Sequence, residues 1–157
     1  MARSDLDRFD RRLLALVQRD AAQTAEALAE RIGLSASAGE RRLKRLRETG
    51  VILGEIAMVD PLKVGRPSFF LAALEIERER PELVARLRQW LAAEEQVQQV
   101  YYVTGTADFV LVVVAPDVGA YDALMSRLMA DNPNVRRFTT NVALGVGKRG
   151  LFVPIAD

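Results

Sequence analysis

Basic side chains that could bind a polyanion are concentrated in one short segment of the chain. Between Ser35 and Thr49, five basic residues stand against two acidic ones. The basic residues are Arg41, Arg42, Lys44, Arg45 and Arg47. A local excess of positive charge of this kind is typical of a surface that contacts a polyanion. On charge alone, a solvated helix face is the simpler interpretation.

A second group of polar residues could bind a small zwitterion such as an amino acid. Thr104, Gly105, Thr106 and Asp108 form a turn between two apolar segments. Backbone N–H groups of a glycine-containing turn can donate to a carboxylate, and Asp108 can accept from an ammonium group. Thr140, on a later strand, is a weaker candidate for the same ligand. The alternative is that Asp108 only caps its own turn, as Asp often does.

Composition excludes most catalytic and metal chemistry. The 157 residues include no His and no Cys, so His-based triads, Cys-His pairs, His-based zinc sites, thiolate metal sites and disulfides are excluded. Carboxylate or lysine chemistry remains open, but we expect no catalytic residue, no metal and no cofactor. No apolar run reaches the roughly 18 residues of a membrane span, and no signal peptide is recognisable. We therefore predict a cytoplasmic protein that does not enter the membrane.

The basic segment is predicted to be the third of three short helices. The first helix spans about 7–20, with an apolar stripe of Leu6, Leu13, Leu14 and Val17. Thr24 caps the second helix, and Gly33 ends it. Ser35 caps the third helix, which stops at Gly50. Its inward positions are predicted to be Ala36, Gly39, Leu43 and Leu46.

The second and third helices form a candidate helix-turn-helix. The short connection 32–35 lets the two helices cross steeply, so that the third helix can enter the major groove of DNA. Its outward residues would then reach base edges and phosphates. These outward residues include Ser37, Arg41, Arg42, Lys44 and Arg45. A generic three-helix bundle is the alternative that the pattern leaves open.

The second half of the chain changes its period. Residues 68–143 are predicted to fold in the order β-α-β-β-α-β, which is the ferredoxin-like pattern, with a last short strand at 151–155. The predicted strands are 68–76, 97–103, 109–115 and 135–143. Helices cover one face of such a sheet, and the other face is a candidate subunit interface. That face would carry some of Phe69, Leu71, Tyr101, Val103, Phe109 and Leu111.

These segments predict an α+β protein with two domains. Residues 1–53 would form a helix-turn-helix domain of the winged type, residues 54–67 a linker, and residues 68–157 a ferredoxin-like domain for ligand sensing and oligomerisation. The charge is distributed unequally, because residues 1–50 carry eleven basic and eight acidic side chains while residues 51–157 carry eleven and thirteen.

Three segments resemble the Lrp/AsnC (feast/famine) transcription regulators. Residues 33–52, GLSASAGERRLKRLRETGVI, are similar to that family's GLS-x-S…RR-x-x-RL-x-x-x-G-[VI]-I signature. Residues 6–14 are similar to its LDxxDxxIL start, and residues 103–109, VTGTADF, resemble its V-[ST]-G-x-x-D-[YF] turn. Gly39 departs from the family, which usually has a larger apolar residue there. This glycine either loosens the helix, at about 1 kcal/mol relative to Ala, or allows close packing.

The resemblance implies a sequence-specific regulator that binds double-stranded DNA and responds to an amino acid or related metabolite. It implies homodimers that pair through their sheets, and octamers or other assemblies of dimers. Ser37, Arg41, Arg42 and Arg45 fall on the DNA-facing positions, to which we add Ser35 and Lys44. Gly105 and Asp108 fall on the effector turn, with Thr104, Thr106 and Thr140 as further candidates.

Two other functions fit parts of the sequence. Siroheme decarboxylases resemble this family in fold, but His residues are implicated in their chemistry and this chain has none. A DNA-binding protein without any effector is the other possibility. Calorimetry against the amino acids would separate the regulated from the unregulated DNA-binding protein.

Overall fold

The fold comes from a computed structural model, which describes residues 6–155. Contacts divide the chain into two compact units. One unit runs up to Met58 and includes the segment from Lys148 onward, whereas the other runs from Val59 to Gly147. The inclusion of this last segment in the first unit is a feature that the sequence pattern did not predict.

The first unit contains the three predicted helices, which are α1 (Arg8–Val17), α2 (Ala25–Glu30) and α3 (Ala36–Glu48). Each helix begins at a residue whose side chain accepts a hydrogen bond from the first turn: Asp7, Thr24 and Ser35. Gly33 has a φ of 76°, so it ends α2 in the left-handed conformation that favours glycine. Residues 6–67 contain no strand.

Helices α2 and α3 approach each other closely at Gly39, which lies buried in the middle of α3. A Cβ atom placed on Gly39 would lie 2.6 Å from the Cβ of Ala29 and 3.1 Å from the backbone oxygen of Ala25. Gly39 therefore allows close packing, which answers the question that the sequence left open. Leu43 and Leu46 are buried on the same side of α3, while Ala36 is exposed and not inward as predicted.

The second unit is a four-stranded antiparallel sheet with two helices. Its elements are β1 (Ser68–Ile76), α4 (Pro81–Ala93), β2 (Val97–Tyr102), β3 (Phe109–Ala115), α5 (Val118–Asp131) and β4 (Val135–Val142). The strand order is β2-β3-β1-β4, as expected for a ferredoxin-like fold. A single 3-10 turn, Pro61–Lys63, precedes β1.

Helices α4 and α5 pack on one face of this sheet. The core between them contains Phe70, Leu74, Leu87, Leu91 and Leu124, all of which are almost fully buried. Phe109 and Leu111 belong to this core too, so their predicted place on the other face is wrong. Strand β3 is apolar at every position, and such a strand has no alternation from which its inward face could be read.

The opposite face of the sheet is apolar, and within residues 59–147 both helices pack on the other side. Phe69, Leu71 and Tyr101 lie on it, as predicted, and Val103 lies beyond the end of β2. The alternation of β3 adds Val110, Val112 and Val114 to the same face. Leu71 and Tyr101 are 42% and 51% exposed.

The predicted strand at residues 151–155 is wrong, because no strand is assigned there. The backbone of Val153 instead pairs with the side chain of Gln18 in the first unit. Gln18 Nε2 donates to the Val153 oxygen at 3.1 Å, and the Val153 N–H donates to Gln18 Oε1 at 2.7 Å. An amide side chain therefore takes the place of a neighbouring strand.

Over residues 6–155, every helix is too short or too polar to cross a membrane.

The contact at Gly39 predicts an unusual response to a helix-favouring substitution. Alanine should stabilise an isolated helix by about 1 kcal/mol, but here the added methyl group would overlap Ala29, and overpacking costs about 1–3 kcal/mol. We expect Gly39→Ala to lower the free energy of unfolding, measured in urea. Adding Ala29→Gly to this variant removes the overlapping methyl group and should restore most of the stability lost to overpacking. Gly54→Ala is the control, since nothing lies within 4 Å of its added methyl group. An increase in stability for Gly39→Ala would contradict the close packing.

Candidate nucleic-acid interface and ligand turn

The outward face of α3 is a stripe of three polar residues. Ser37, Arg41 and Lys44 are exposed and lie three or four residues apart, so they share one face of the helix. Ser35 stands at the start of this stripe. Its hydroxyl accepts from the backbone N–H of Ala38 at 3.3 Å, and it lies 3.4 Å from the hydroxyl of Ser37. The predicted exposure is therefore confirmed for Ser37, Arg41 and Lys44, and the predicted cap for Ser35.

Arg42 lies on the flank of α3 that meets α1, whereas Arg45 is exposed beside the outward stripe and turns its guanidinium group towards α1. Arg42 Nη1 donates to Asp7 Oδ2 at 2.7 Å and to Asp10 Oδ1 at 2.8 Å. Arg45 Nη2 lies 2.6 Å from Asp10 Oδ2. The Arg42 side chain is 23% exposed and the Arg45 side chain 49%, so Arg45 also reaches solvent. The outward prediction is wrong for Arg42, which is half-buried, and is confirmed for Arg45, which is exposed although its guanidinium group is paired.

The carboxylates that hold these arginines belong to the start of α1. Asp7 Oδ1 accepts from the backbone N–H groups of Phe9 and Asp10, and Asp10 Oδ2 accepts from the N–H of Asp7 at 3.2 Å. This reciprocal pair is a capping box. The hydrogen bond from the Asp10 N–H, and then the Arg42 guanidinium, lower the pKa of Asp7 against the opposing effect of burial.

The remaining cations of α3 differ in how far they are neutralised. Arg47 is bound by Glu55, with Nη2 to Oε1 at 2.7 Å. Lys44 lies 3.8 Å from Glu48, an exposed pair that contributes little. Within residues 6–155, Arg41 is the α3 cation for which no ion pair is found. Positive charge that is free to meet a polyanion is therefore greatest at Arg41 and Lys44.

The turn between β2 and β3 presents the predicted polar groups. Gly105 has a φ of 125°, a backbone conformation that residues other than glycine rarely adopt. Thr104, Gly105 and Thr106 are exposed. The base of the turn is closed by a hydrogen bond from the Val103 N–H to the Asp108 oxygen at 2.9 Å. These residues are therefore held in one compact loop at the sheet edge.

The Asp108 side chain binds the backbone of β1 and does not cap its own turn. Its Oδ2 accepts from the Ile76 N–H at 2.7 Å, and its N–H donates to the Leu74 oxygen at 2.9 Å. The β1–β4 pairing shifts register between Glu75 and Ile76. Such an irregularity interrupts the ladder, and the Asp108 carboxylate satisfies the Ile76 N–H at this point. Among the described residues, only the Oδ2 atom of this carboxylate has a hydrogen-bond partner.

Thr140 is not brought to this turn. Its hydroxyl lies 2.5 Å from the hydroxyl of Tyr121, and the Tyr121 ring stacks on Phe70 with centroids 4.1 Å apart. Thr140 is therefore part of the packing between β4 and α5. Over residues 6–155, no group of His, Cys, Asp or Glu side chains is arranged to hold a metal ion.

Sequence reasoning missed that Asp7 and Asp10 pair with arginines of α3. Both belong to the segment 6–14 that carried the family resemblance, but their roles required knowledge of which flank of α3 faces α1. A signal was present, since an aspartate at position 10 interrupts an otherwise apolar inward stripe. A buried carboxylate almost always has a cationic or hydrogen-bonding partner.

Two protein-family models match the sequence. The model described as winged helix-turn-helix DNA-binding matches residues 6–52. The model described as Lrp/AsnC ligand binding domain matches residues 70–150. Together they cover the helical unit and the sheet.

Similar whole proteins are known as well. The chain is 40% identical over 151 residues to y4tD of Sinorhizobium fredii, an uncharacterized HTH-type transcriptional regulator, covering 96% of this chain and 89% of that protein. The crystal structure of an AsnC family transcriptional regulator from Agrobacterium tumefaciens is similar with a TM-score of 0.83 and 30% identity, over 95% of this chain and 97% of that one. The leucine response regulatory protein LrpA of Mycobacterium tuberculosis has a TM-score of 0.80 and 30% identity, over 95% and 100% of the chains.

The lowered pKa of Asp7 predicts a loss of stability in acid. A carboxylate with a depressed folded pKa stabilises the fold above its unfolded pKa of about 4, and this contribution disappears as the pH falls through the folded value. We expect the melting temperature of the wild-type chain to fall between about pH 5 and pH 2. Asp7→Asn should be less stable at neutral pH and should lose less over the same range. Parallel curves for the two proteins would show that Asp7 is not linked to folding.

Proposed function

The chain belongs to the Lrp/AsnC family of transcription regulators, and from this premise we propose how it contacts DNA and senses a metabolite. It is a DNA-binding regulator and not an enzyme. We propose that α3 lies in the major groove of double-stranded DNA. We further propose that the turn 104–108 binds the carboxylate and ammonium groups of an amino acid.

The observation that supports this placement of α3 is its unneutralised outward stripe. Arg41 and Lys44 project from the helix face opposite Gly39, Leu43 and Leu46, which are buried. An arginine on such a face can bind phosphate or the O6 and N7 atoms of guanine. Ser35 and Ser37 at the start of α3 can donate to phosphate, since helix N-termini attract anions. Arg45 adds a partly exposed cation at the edge of the stripe.

The ligand site that we propose uses the loop and not the sheet face. The N–H groups near Gly105, with the hydroxyls of Thr104 and Thr106, would bind a carboxylate. Asp108 would accept from the ammonium group through Oδ1, while Oδ2 stays bound to Ile76. Similarity to a leucine response regulatory protein makes leucine the first amino acid to test. Thr140, occupied by Tyr121, takes no part in this proposal.

The open sheet face supports a homodimer. Leu71, Tyr101 and the outward valines of β3 form an apolar surface, which a second copy can cover through two-fold pairing. Dimers could assemble further into octamers. We propose residues 1–53 as the DNA-binding domain, 54–67 as the linker and 68–157 as the regulatory domain, although the segment from Lys148 onward packs with the first unit. We place the protein in the cytoplasm with the DNA that it binds.

The first test concerns Arg41. If this side chain contacts phosphate, Arg41→Ala should weaken binding to all duplexes and reduce the salt slope by about one unit. If it binds a guanine, the loss should be about 1–3 kcal/mol on the selected duplex alone. Fluorescence anisotropy at several salt concentrations distinguishes these outcomes. Arg47→Ala is the matched control, because Arg47 is on the same helix but is bound by Glu55. Equal effects of the two substitutions would contradict the proposed surface.

The second test concerns Asp108. Asp108→Asn retains an oxygen for the Ile76 N–H but removes the charge that an ammonium group needs. Hydrogen bonds to charged groups contribute about 1.5–3 kcal/mol, so leucine affinity in calorimetry should fall at least about tenfold. Asp108→Ala should lose leucine equally and also lose stability, since the Ile76 N–H is left without a partner. Wild-type leucine affinity in both variants would remove Asp108 from the site.

A further inference from the structure

The side chain of Asp10 lies where the start of α1 meets the flank of α3, and it is only 1% exposed. Two guanidinium groups of α3 share this carboxylate, Arg42 through Oδ1 and Arg45 through Oδ2. Burial of an ion pair contributes little net stability, because desolvation offsets the attraction between the charges. The role of Asp10 therefore lies in the positions in which it holds the two arginines.

The two arginines are held differently. Arg42 is bound by a second carboxylate, Asp7, and lies 5.5 Å from the centroid of the Phe9 ring, so it is fixed within the unit. Arg45 has only Asp10 as an ion-pair partner within the described part of the chain, and half of its side chain is exposed. A guanidinium group has five N–H donors in a rigid fork, so those not directed at Asp10 can still bind another acceptor. Asp10 thus orients the Arg45 guanidinium group, while the rest of this group faces solvent.

We infer that Asp10 is a positioning residue that makes α3 selective between DNA sequences. It fixes the Arg45 guanidinium beside the Arg41–Lys44 stripe, and its charge cancels part of the positive charge there. This inference rests on the proposed placement of α3 in the groove. A fixed guanidinium group loses less conformational freedom when it binds a base edge in one geometry. A partly neutralised one attracts phosphates of any sequence less strongly.

The two effects make Asp10→Asn change two affinities in opposite directions. Asparagine has nearly the same shape and still offers an oxygen to the N–H of Asp7. It releases Arg45 and exposes one further positive charge. Affinity for a selected duplex should fall about tenfold, affinity for mixed-sequence DNA should rise several-fold, and the salt slope for mixed-sequence DNA should become steeper by about one unit.

The experiment uses the full-length protein and two duplexes of equal length. One is the sequence that the wild-type protein selects from a random pool, and the other has a mixed sequence. Binding to both is measured over a range of salt concentrations for wild type, Asp10→Asn, Arg45→Ala and the double variant. In the Arg45→Ala background, Asp10→Asn should no longer reduce affinity for the selected duplex. Asp122→Asn, an exposed aspartate of α5, controls for the change in net charge.

Several outcomes would overturn the inference. A role in folding alone would lower both affinities together and leave the salt slope unchanged. A loss on the selected duplex that persists without Arg45 would show that Asp10 does not act through it. If Asp10→Asn fails to fold, Arg45→Lys keeps the charge without the rigid fork and should weaken the selected duplex alone; wild-type affinity there would also overturn the inference. Failure of the wild-type protein to bind either duplex would instead contradict the proposed function.

Discussion

The close contact between α2 and α3 at Gly39 affects which basic side chains of α3 the N-terminal unit exposes on its surface. Because Gly39 has no side chain, α3 packs directly against the Ala29 methyl group of α2, and Leu43 of α3 is buried in the core of the same unit. This contact and the burial of Leu43 and Leu46 together set the rotation of α3 about its axis. That rotation decides which basic residues face outward and which face α1. If a methyl group at residue 39 held α3 further from α2, the same cations would take different positions on the surface.

The order and type of the main elements could be predicted from the sequence because their signals are local. Caps such as Thr24 and Ser35, the left-handed Gly33 and the apolar strands each act within a few residues. The prediction failed where the answer depends on distant parts of the chain. The inward face of β3 is set by pairing with β1, which a uniformly apolar strand does not encode. The segment 151–155 has the composition of a strand but pairs with the side chain of Gln18, which caps the end of α1.

The candidate sites show the same limit. The basic composition of α3 was evident, but the division between Arg41 and Lys44 on one face and Arg42 on the flank required the position of Asp10. The turn at residues 104–108 was recognisable from its glycine and polar residues. Its link to the irregularity in β1 was not, since the Ile76 N–H that Asp108 binds is 32 residues distant. Asp108 therefore connects the loop to β1, which lies between β3 and β4 in the sheet.

The pairing of Gln18 with Val153 has a topological consequence. The chain passes between its two units twice, once near residue 58 and again near residue 148. The contact between Gln18 and Val153 closes a loop between positions 135 residues apart, through the two hydrogen bonds of one amide group and without a covalent link. A hydrogen bond of this kind contributes only about 0.5–1.5 kcal/mol net. The last segment can therefore leave the first unit and rejoin it at small energetic cost, so this loop of the chain is closed reversibly.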